Sequence, residues 1–585
     1  MQSSSWISDL ALGIRNRKSH LLILHGNIYD KVLYGGREYD SLEAFIEAVS
    51  GAAFDFHLQY NLFSGPQVIS GDKAELTELL SRGQNELSQE DRELMKQAGV
   101  NPDKLPREPG ELFSRLDNFF RNSGKKTLFS IVYAGALFAA DPTGVGSPAL
   151  EALKIALKDW ARDKKIRENG HTILILTRSG ADLDKSLLDR ELGILQIRIP
   201  KPDESARKAF LDAQEVPKEE LEPLVKASAG LSFRSIGQIA EESEQSVFLN
   251  TVIGRKRRIL EEEYGNVVEV LNPKWGFEAI GGLEKQKAFM RQIIANMQSG
   301  RYDLVPQGTL LTGPPGTGKT VFAEATAKEA GVNLVSPASI RSKWVGDTDK
   351  NLDEFERALV DMMPLIVWID EFDGFVIRQG DYDGSGGVER RFLQKILQMI
   401  SNTEYRGKIF WLAASNRPDL ISSNLKRPGR FSFRIPFLMP NEEERGAIFQ
   451  AMLNKYPEIR TNIKDWQKFA KLTEGRTGAD IEALILEFAW AHANYNGSGC
   501  LREENLLWAI DDYIPQRQGA DEIDNMTLAA IKECSANSFL PVGWEKVVEN
   551  IYRKRGYSVG KTQALAPQDM LAVALSRSNP EGANN

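Results

Sequence analysis

The sequence is poor in cysteine, in long apolar runs and in net positive charge, and each shortage excludes a class of protein. Its two cysteines, Cys500 and Cys534, form no CxxC pair, which argues against a disulfide framework and favours a reducing, cytoplasmic compartment. No apolar run approaches the ~20 residues that span a bilayer, and the first residues lack the apolar core of a signal peptide, so no membrane partner is expected. The net charge of −8 disfavours a dedicated nucleic-acid binder. No HExxH motif points to a built-in metalloprotease.

What the sequence does contain is a glycine-rich turn between a strand-like and a helix-like segment. Residues 309–320 read TLLTGPPGTGKT, which satisfies G-x-x-x-x-G-K-[ST]. Such glycines let backbone N–H groups wrap closely around phosphate oxygens, and the following helix adds its positive end. The expected ATP-binding residues are Gly313, Pro314, Pro315, Gly316, Thr317, Gly318, Lys319, Thr320 and Val321. Lys319 would reach the β- and γ-phosphates, and the Thr320 hydroxyl would bind Mg²⁺. The alternative is an ordinary turn before a core helix.

A second segment supplies two carboxylates. Residues 365–373 read LIVWIDEFD, and the apolar run predicts a buried parallel strand. Ligands bind at the carboxyl ends of such strands, where Asp370 would hold Mg²⁺ and Glu371 would act as general base on water. Apolar strands often end in Asp, so this motif gains its weight from the glycine-rich turn before it.

A third strand and the segment after it add one amide and two guanidinium groups. The strand IFWLAASN ends at Asn416, whose side chain can bond the attacking water or a γ-phosphate; the alternative is a turn Asn before Pro. The segment LKRPGRF carries Arg427 and Arg430. Arginine suits the charge of a phosphoryl-transfer transition state, although surface arginines are usually only solvated.

Together with WGFEAIGGLE and GRTGADIEALILEFA, these motifs resemble, in this order, the AAA ATPases of the AAA+ superfamily. The resemblance is specific over about residues 273–517. It implies an α/β fold, namely the three-layer parallel sheet of a P-loop NTPase with a small helical lid. It also implies a homo-oligomeric ring, usually a hexamer.

The resemblance also implies roles for individual residues. Asn416 takes the position of the sensor that detects the γ-phosphate. Arg427 and Arg430 take the positions of arginine fingers that reach the nucleotide of the neighbouring subunit. Two further pairs would contact the nucleotide, one beside adenine and one from the lid: Gly281 with Gly282, and Gly478 with Ala479.

The segment IRSKWVGDTDKNL, residues 340–352, matches the loop that carries a polypeptide-gripping aromatic residue into the pore of ring translocases. Lys343, Trp344 and Val345 occupy that place. A Trp is more often a core residue, but the neighbouring Lys, Gly and Asp favour an exposed loop tip. This segment is the basis for predicting an unfoldase that threads polypeptide past Trp344.

The front of the chain repeats the pattern without its chemistry. Residues 171–202 resemble residues 408–440, and Asp182 and Asp419 are separated by 419 − 182 = 237 positions, as Arg190 and Arg427 are by 427 − 190 = 237. Alignment of the strand TLFSIVYAGALF with LIVWIDEFD places Ala134 and Gly135 where the two carboxylates stand, and Ser179 falls at the sensor. The fold is therefore expected twice, and the first copy is expected to be degenerate and not to bind Mg·ATP.

These observations predict the following organisation. The segments are a degenerate AAA-like domain at 1–250, with a helical insertion at about 71–124 and a lid at about 203–250; a linker at 251–272; the AAA α/β domain at 273–440; its lid at 441–517; and an extension with a disordered end at 518–585. The insertion is either a solvated decoration or a docking surface.

The predicted function is an ATP-hydrolysing, hexameric ring that remodels or unfolds an unknown protein substrate, alone or with an adaptor. Two alternatives stay open at this point. One is a nucleic-acid-associated motor or loader, which the acidic balance disfavours. The other is a scaffold whose assembly ATP gates.

Overall fold

The computed structural model describes residues 5–16, 19–51, 53–81, 105–139, 147–214, 216–242, 248–337, 348–377, 386–497, 499–514 and 519–555. The chain divides into two compact units, Met1–Val252 and Ile253–Asn585. In the described ranges, no helix is both long enough and apolar enough to cross a membrane.

Each unit contains one large sheet. The strands of the first unit are β1 (Leu21–Gly26), β2 (Val32–Tyr34), β3 (Arg37–Tyr39), β4 (Phe56–Asn61), β5 (Gly65–Ser70), β6 (Thr127–Ile131), β7 (Thr172–Thr177) and β8 (Leu195–Ile199). Those of the second unit are β9 (Val268–Leu271), β10 (Gly308–Thr312), β11 (Asn333–Pro337), β12 (Leu365–Ile369), β13 (Ile409–Ser415) and β14 (Phe431–Pro436).

The five parallel strands of the two large sheets have the same order, and each sheet adds one antiparallel edge strand on the same side. The first has the order β5-β4-β6-β7-β1-β8, and the second has the order β9-β11-β12-β13-β10-β14. All neighbours are parallel except the edge pairs β4–β5 and β9–β11. The α/β fold is therefore present twice, as the sequence predicted.

The antiparallel edge strand comes from different parts of the chain in the two units. In the first unit it follows β4 through a hairpin, whereas in the second it is β9, which precedes the rest of the domain. β9 falls inside the expected linker 251–272 and corrects that expectation. Its residues alternate between buried Val268 and Val270 and exposed Glu269, the two-residue period of a strand with one covered face.

Helices account for most of the remaining described residues. In the first unit they are Ser5–Asn16, Leu42–Ser50, Lys73–Ser81, Pro109–Asn122, Gly135–Phe138, Pro148–Arg162, Lys164–Glu168, Glu204–Ala213, Lys218–Ala227 and Phe233–Glu242. The helix Phe248–Tyr264 includes the boundary between the two units. In the second they are Glu284–Gln298, Lys319–Ala330, Thr348–Asp361, Phe372–Ile377, Gly386–Ser401, Glu442–Lys455, Gln467–Leu472, Gly478–Ala483, Ala491–Tyr495, Glu503–Asp512, Ala520–Lys532 and Trp544–Lys554, with a π-helical stretch at Leu484–Trp490.

Alternating side chains of β1 show why the first sheet has helices on both faces. Leu21 and Ile23 belong to one buried cluster, and Leu22 and Leu24 belong to another. Successive residues of a strand point to opposite faces, so a strand that is apolar throughout needs a cover on each side. The result is a three-layer unit.

The insertion at 71–124 contributes to the core, contrary to the idea of a purely solvated decoration. Its helix Pro109–Asn122 places Phe113 and Phe120 against the buried Trp160, with ring centroids 4.9 and 5.3 Å from the indole. Residues 82–104 of the insertion lie outside the described residues.

A lid follows the last strand of each sheet and is anchored in the same way. In the first unit Arg207 is buried and donates to the carbonyl oxygens of Pro202 at 2.8 Å and Val225 at 3.2 Å. Arg445 makes the two corresponding bonds in the second unit, at 2.8 and 2.9 Å. Burial lowers the pKa of both guanidinium groups without discharging them. Each arginine ties the first lid helix to its neighbour and to the strand before it.

The C-terminal extension packs onto the second sheet. Arg434 on β14 donates from Nε to the carbonyl of Glu533 at 2.7 Å, and the Lys285 ammonium donates to the carbonyl of Leu540 at 2.7 Å. The end of the extension, residues 556–585, lies outside the described residues.

Candidate functional site

The glycine-rich turn joins β10 to the helix Lys319–Ala330. Gly313, Gly316 and Gly318 have φ of +142°, +75° and +92°, which L-residues with a Cβ rarely adopt. A Cβ on Gly313 would lie 2.0 Å from the carbonyl oxygen of Phe437. The turn is therefore a backbone cradle that only glycine permits at these points. Pro314 and Pro315 stiffen it, and Val321 follows in the first helical turn.

Lys319 lies beneath this cradle. Its ammonium donates to the carbonyl oxygens of Gly313 at 2.8 Å and Pro314 at 2.7 Å, and its side chain is buried. Burial lowers its pKa to about 8, against the opposing charges of Asp370 and Asp373. The hydroxyl of Thr317 also donates to the Pro314 carbonyl, at 2.9 Å. The chain thus holds one cation where the phosphates of a nucleotide would lie.

Thr320 and Asp370 meet at the mouth of the cradle. The Thr320 hydroxyl donates to Oδ2 of Asp370 at 3.2 Å, and both residues are exposed. A hydroxyl and a carboxylate oxygen are ligands suited to Mg²⁺, which usually keeps several waters and takes phosphate oxygens as well. No group of three potential metal-ligating His, Cys, Asp or Glu side chains was found among the described residues. The pair fits an ion that is shared with a nucleotide.

Glu371 stands at a left-handed turn after β12. Its φ is +47°, its side chain is exposed, and its backbone N–H donates to Oδ1 of Asp370 at 2.9 Å. A non-glycine residue in this region carries strain of order 1–2 kcal/mol, which the fold must compensate. The turn places two adjacent carboxylates at the same edge of the sheet as the phosphate cradle.

The first unit has the same turn with different side chains. Tyr133 has φ of +58°, and its carbonyl accepts from the N–H three residues on, as that of Glu371 does. β6 ends at Ile131 as β12 ends at Ile369. The positions that match Asp370 and Glu371 are therefore Val132 and Tyr133. The assignment to Ala134 and Gly135 was wrong by two residues, because the sequence alone does not show where β6 ends.

Asn416 follows β13 directly and lies next to the cradle. β13 pairs with β10 so that Ser415 lies opposite Thr312, and the Ser415 carbonyl accepts from the Gly313 N–H at 3.2 Å. Asn416 is partly buried. In the first unit the N–H of Gly26 bonds the carbonyl of Arg178 at 3.1 Å in the same way, so that Ser179 is the structural counterpart of Asn416.

Arg427 and Arg430 lie at the other end of the sheet. β14 starts opposite Gly308, the first residue of β10, whereas the cradle follows the last residue of β10. At ~3.3 Å per residue, β10 separates the two ends by about 13 Å, which exceeds the reach of an arginine side chain. Arg427 is exposed, and Arg430 donates to the backbone and side-chain oxygens of Asn424 at 2.9 and 2.6 Å. The structure does not bring these arginines to the cradle of their own chain.

The lid places the start of its helix Gly478–Ala483 on the cradle. The N–H of Ala479 donates to the carbonyl of Gly316 at 3.2 Å, and a Cβ on Gly316 would lie 2.7 Å from the Thr477 hydroxyl oxygen. Thr477 and Asp480 form a capping box that fixes this helix start. Gly478 and Ala479 therefore lie against the cradle, and their contact with a nucleotide stays a prediction.

Gly281 and Gly282 pack against the first lid helix. A Cβ on Gly281 would lie 2.2 Å from the backbone N of Ile448, and Gly282 has φ of +70°. The first observation explains Gly281 by a close approach of two backbones, and the second explains Gly282 by a left-handed backbone conformation. They place the pair between the α/β domain and its lid.

Tyr513 is a residue of this region that the sequence reasoning did not identify. Its hydroxyl donates to Oδ1 of Asp480 at 2.8 Å, and burial together with that carboxylate raises its pKa to about 12. The guanidinium of Arg476 lies 5.3 Å from the Tyr513 ring centroid. The T-x-x-D spacing of Thr477 and Asp480 was a readable helix-start signal, but the tyrosine is too distant in sequence to be inferred.

The proposed pore residues Lys343, Trp344 and Val345 lie outside the described residues. The threading role therefore stays a prediction from sequence.

Comparison with protein families assigns both units. Residues 309–439 match the family described as "ATPase family associated with various cellular activities (AAA)". Residues 3–200 match "AAA+ chaperone, N-terminal Rossmann-like domain".

Curated relatives are similar over part of the chain. The Cell division cycle protein 48 homolog of Archaeoglobus fulgidus is 35% identical over 249 residues, 41% of this chain and 33% of the relative. Proteasome-activating nucleotidase 1 of Haloferax volcanii is 28% identical over 333 residues, 54% of this chain and 75% of the relative. The proteasome-activating nucleotidase of Methanopyrus kandleri is 29% identical over 310 residues, which are 50% of this chain and 69% of the relative.

The chain thus spans about a third of the first of these proteins and more of the two nucleotidases. The chain therefore contains an AAA ATPase domain that carries the complete phosphate cradle, and an AAA+ chaperone N-terminal domain that lacks it.

Proposed function

We propose that this protein hydrolyses ATP in a homo-oligomeric, hexameric ring and uses the energy to remodel or unfold polypeptides. The observation that carries the proposal is the separation of two parts of one active site. The cradle with Lys319 lies at the carboxyl ends of the strands, and Arg427 and Arg430 lie at the amino ends. Arginine-assisted NTPases need both a phosphate cradle and an arginine at the phosphates, so neither the cradle nor the arginine pair is sufficient alone.

The residues at the cradle have distinct proposed tasks. Lys319 exchanges two backbone carbonyls for phosphate oxygens, so its charge is already in place when ATP binds. Thr320 and Asp370 would hold Mg²⁺, which when bound neutralises charge on the phosphates. Glu371 accepts a proton from the attacking water, and Asn416 orients that water through its side-chain amide.

The arginines are proposed to act on the next subunit. A contact that joins the two ends of the sheet in neighbouring chains is head-to-tail, and a head-to-tail contact that closes on itself makes a ring. In such a ring Arg427 and Arg430 would reach the phosphates of a neighbour, and each site would depend on assembly. An isolated chain should then bind ATP but turn it over slowly.

The remodelling activity rests on three supports. The first unit matches a chaperone-type domain, two relatives are named proteasome-activating nucleotidases, and Trp344 occupies the position of a gripping residue in ring translocases. The proposal places the ring in the cytoplasm, where the free Cys500 and Cys534 stay reduced. The substrate or adaptor is a protein whose identity the sequence does not give, and no specific nucleic-acid ligand is part of the proposal.

The test is a substrate trap. Glu371→Gln should bind ATP, assemble and retain proteins that co-purify with it, while Lys319→Ala should bind neither ATP nor those proteins. Proteins captured equally by both variants would contradict the proposal. Oligonucleotide binding that weakens steeply with salt would favour a motor on nucleic acid instead.

A second variant separates a remodeller from an ATP-gated scaffold. Trp344→Ala should keep ATPase activity and assembly but lose the unfolding of a captured substrate. Unfolding that survives this change would remove Trp344 from the mechanism and favour the scaffold.

A further inference from the structure

The first unit contains a buried carboxylate in the turn that corresponds to the phosphate cradle. Asp30 lies four residues after Gly26. The φ of Gly26 is +105°, positive like that of Gly313, the first glycine of the cradle. A Cβ on Gly26 would lie 2.4 Å from the Ile199 carbonyl oxygen, as one on Gly313 would lie 2.0 Å from that of Phe437. The two turns therefore begin in the same way, although the first lacks the later glycines and has Val32 at the position that matches Lys319.

Asp30 is 4% exposed and accepts four hydrogen bonds. Its Oδ1 accepts from the backbone N–H of Lys31 at 2.9 Å and of Arg234 at 2.8 Å. Its Oδ2 accepts from the side-chain amide of Asn27 at 2.8 Å and the backbone N–H of Phe233 at 2.9 Å. The carboxylate is thus surrounded by N–H donors, two from its own turn and two from the start of the lid helix Phe233–Glu242.

Phe233 and Arg234 occupy the same positions as Gly478 and Ala479. Counted from the lid glycines Gly230 and Gly475, which both have positive φ, each pair stands three and four residues on. The preceding residue caps the helix in both units. The hydroxyl of Ser232 accepts from the N–H of the residue three positions later at 3.0 Å, and that of Thr477 does so at 3.1 Å.

We infer that Asp30 is a built-in anionic ligand, which holds the lid of the first unit on its core from the turn that corresponds to the phosphate cradle of the second unit. A helix start offers unpaired N–H groups and a positive end, which favour a negative charge. In the first unit this anion is part of the chain, so the lid is fixed without any nucleotide. The turn of the first unit thus carries a carboxylate that binds the lid, whereas the matching turn of the second unit carries the residues expected to bind phosphates.

A second attachment strengthens the same contact. The Arg234 side chain donates from Nε to the carbonyl of Tyr29 at 3.2 Å and from Nη2 to the carbonyl of Asp40 at 2.9 Å. These bonds join the lid helix to both sides of the Asp30 turn. Because they do not require a carboxylate, they are expected to persist when Asp30 is changed and to keep the lid close enough for measurement.

The test is hydrogen exchange on the full chain. Asp30→Ala should raise the exchange of the Phe233 and Arg234 amides at least tenfold, with little change in the strands β1, β6 and β7. Formate, a small carboxylate, should restore protection in Asp30→Ala and have no effect on the wild type. Unchanged exchange at these two amides, or protection that formate does not restore, would overturn the inference.

Two further variants keep the test decisive. If Asp30→Ala does not fold, Asp30→Asn keeps the volume but removes the charge and one acceptor oxygen, and faster exchange confined to the lid start is still expected. Asp203→Ala is the matched control, since Asp203 is an exposed cap of the lid helix Glu204–Ala213 and accepts from the Ala206 N–H at 2.8 Å. It should affect only its own helix start. If Asp203→Ala raised the exchange of the Phe233 and Arg234 amides as much as Asp30→Ala does, Asp30 would have no specific role in holding the lid, and the inference would be overturned.

Discussion

The ammonium of Lys319 donates a hydrogen bond to the carbonyl oxygen of Gly313 at 2.8 Å, so the phosphate-binding cation is held by the loop that it serves. Burial lowers the pKa of Lys319 to about 8, below the ordinary value of 10.5. Bound phosphates would raise that pKa again, because an opposite charge favours the protonated form. ATP binding above pH 8 must therefore take up a proton.

The first prediction follows from this proton uptake. The affinity for ATP should be nearly constant below pH 7.5 and should weaken about tenfold per pH unit well above pH 8. Calorimetric titrations in buffers of different ionisation enthalpy should show proton uptake approaching one at pH 9. Lys319→Arg, which stays charged at this pH, should bind more weakly but without the pH dependence. Equal pH profiles for the two proteins would contradict the argument.

The second prediction concerns Glu371. Glu371→Gln should lower turnover by a factor of 10² or more, since general-base catalysis contributes about that much, while ATP affinity stays within a few-fold. The left-handed turn should persist, because Gln has the same backbone preferences as Glu. Single-turnover measurements with equilibrium binding separate the two effects. Normal turnover would remove Glu371 as the base.

The third prediction concerns the arginines at the far end of the sheet. Arg430→Ala and Lys319→Ala should each lower activity, Arg430→Ala by about 10³ if it acts as a finger. Mixing the two inactive proteins should restore activity, because an intact cradle can then adjoin an intact arginine. A mixture of Lys319→Ala with Arg430→Ala/Lys319→Ala is the control, since it contains no intact cradle. Failure of the first mixture to regain activity, despite proven exchange of subunits, would contradict action between chains.

The fourth prediction concerns the contact of Gly316 with the lid. Gly316→Ala should weaken ATP binding tenfold or more, because the added Cβ would lie 2.7 Å from the Thr477 hydroxyl oxygen and would displace the lid. Gly331→Ala is the matched control: Gly331 has φ of +67°, close to the +75° of Gly316, but a Cβ there meets no atom within 4 Å. Both variants should lose about 1 kcal/mol of stability from backbone strain. Only Gly316→Ala should change the affinity, and similar affinities would contradict the proposed lid contact.

The fifth prediction concerns acid stability of the first unit. Burial lowers the pKa of His57 and of His171 to about 4, from 6.5. A histidine whose folded pKa is depressed contributes stability above its unfolded pKa, and that stability is lost as the pH falls from 6.5 towards 4. The first unit should lose about 1 kcal/mol per histidine between pH 7.5 and 5.5, measured as hydrogen exchange of β4 and β7 after correction for intrinsic rates. His57→Gln should reduce this loss by about 1 kcal/mol, and an unchanged loss would contradict it.

Much of the second unit could be predicted from the sequence because its chemistry is local. The cradle, the strand ending at Asp370 and Glu371, and the lid start at Gly478 are each specified by residue types over a dozen positions or fewer. Positive φ at three glycines, and a capping box at the lid helix, are consequences of those residues in their immediate surroundings. The match of residues 309–439 to the AAA family confirmed the predicted family of this domain.

The first unit was predictable in its architecture but not in its details. An all-apolar strand such as β1 indicates a sheet covered on both faces wherever it occurs, so the repeated fold could be read without any motif. The exact position of the Tyr133 turn could not be predicted from the sequence, because only strand pairing shows where β6 ends. β9 was missed for a similar reason: four residues with a two-residue period are recognisable as a strand only when their partner is known.

The sequence by itself therefore determined that the chain carries two copies of one α/β fold and that only the second has the residues for ATP. Backbone geometry at glycines and the alternation of apolar residues depend on a few neighbouring residues, so they can be predicted from the sequence. The tertiary structure alone decided two further points. Parallel strand pairing put Arg430 at the opposite end of the sheet from its own cradle, and lid packing brought Asp30 to the N–H groups of Phe233 and Arg234, about 200 residues away. Contacts over such distances depend on how the layers pack, which no short pattern specifies.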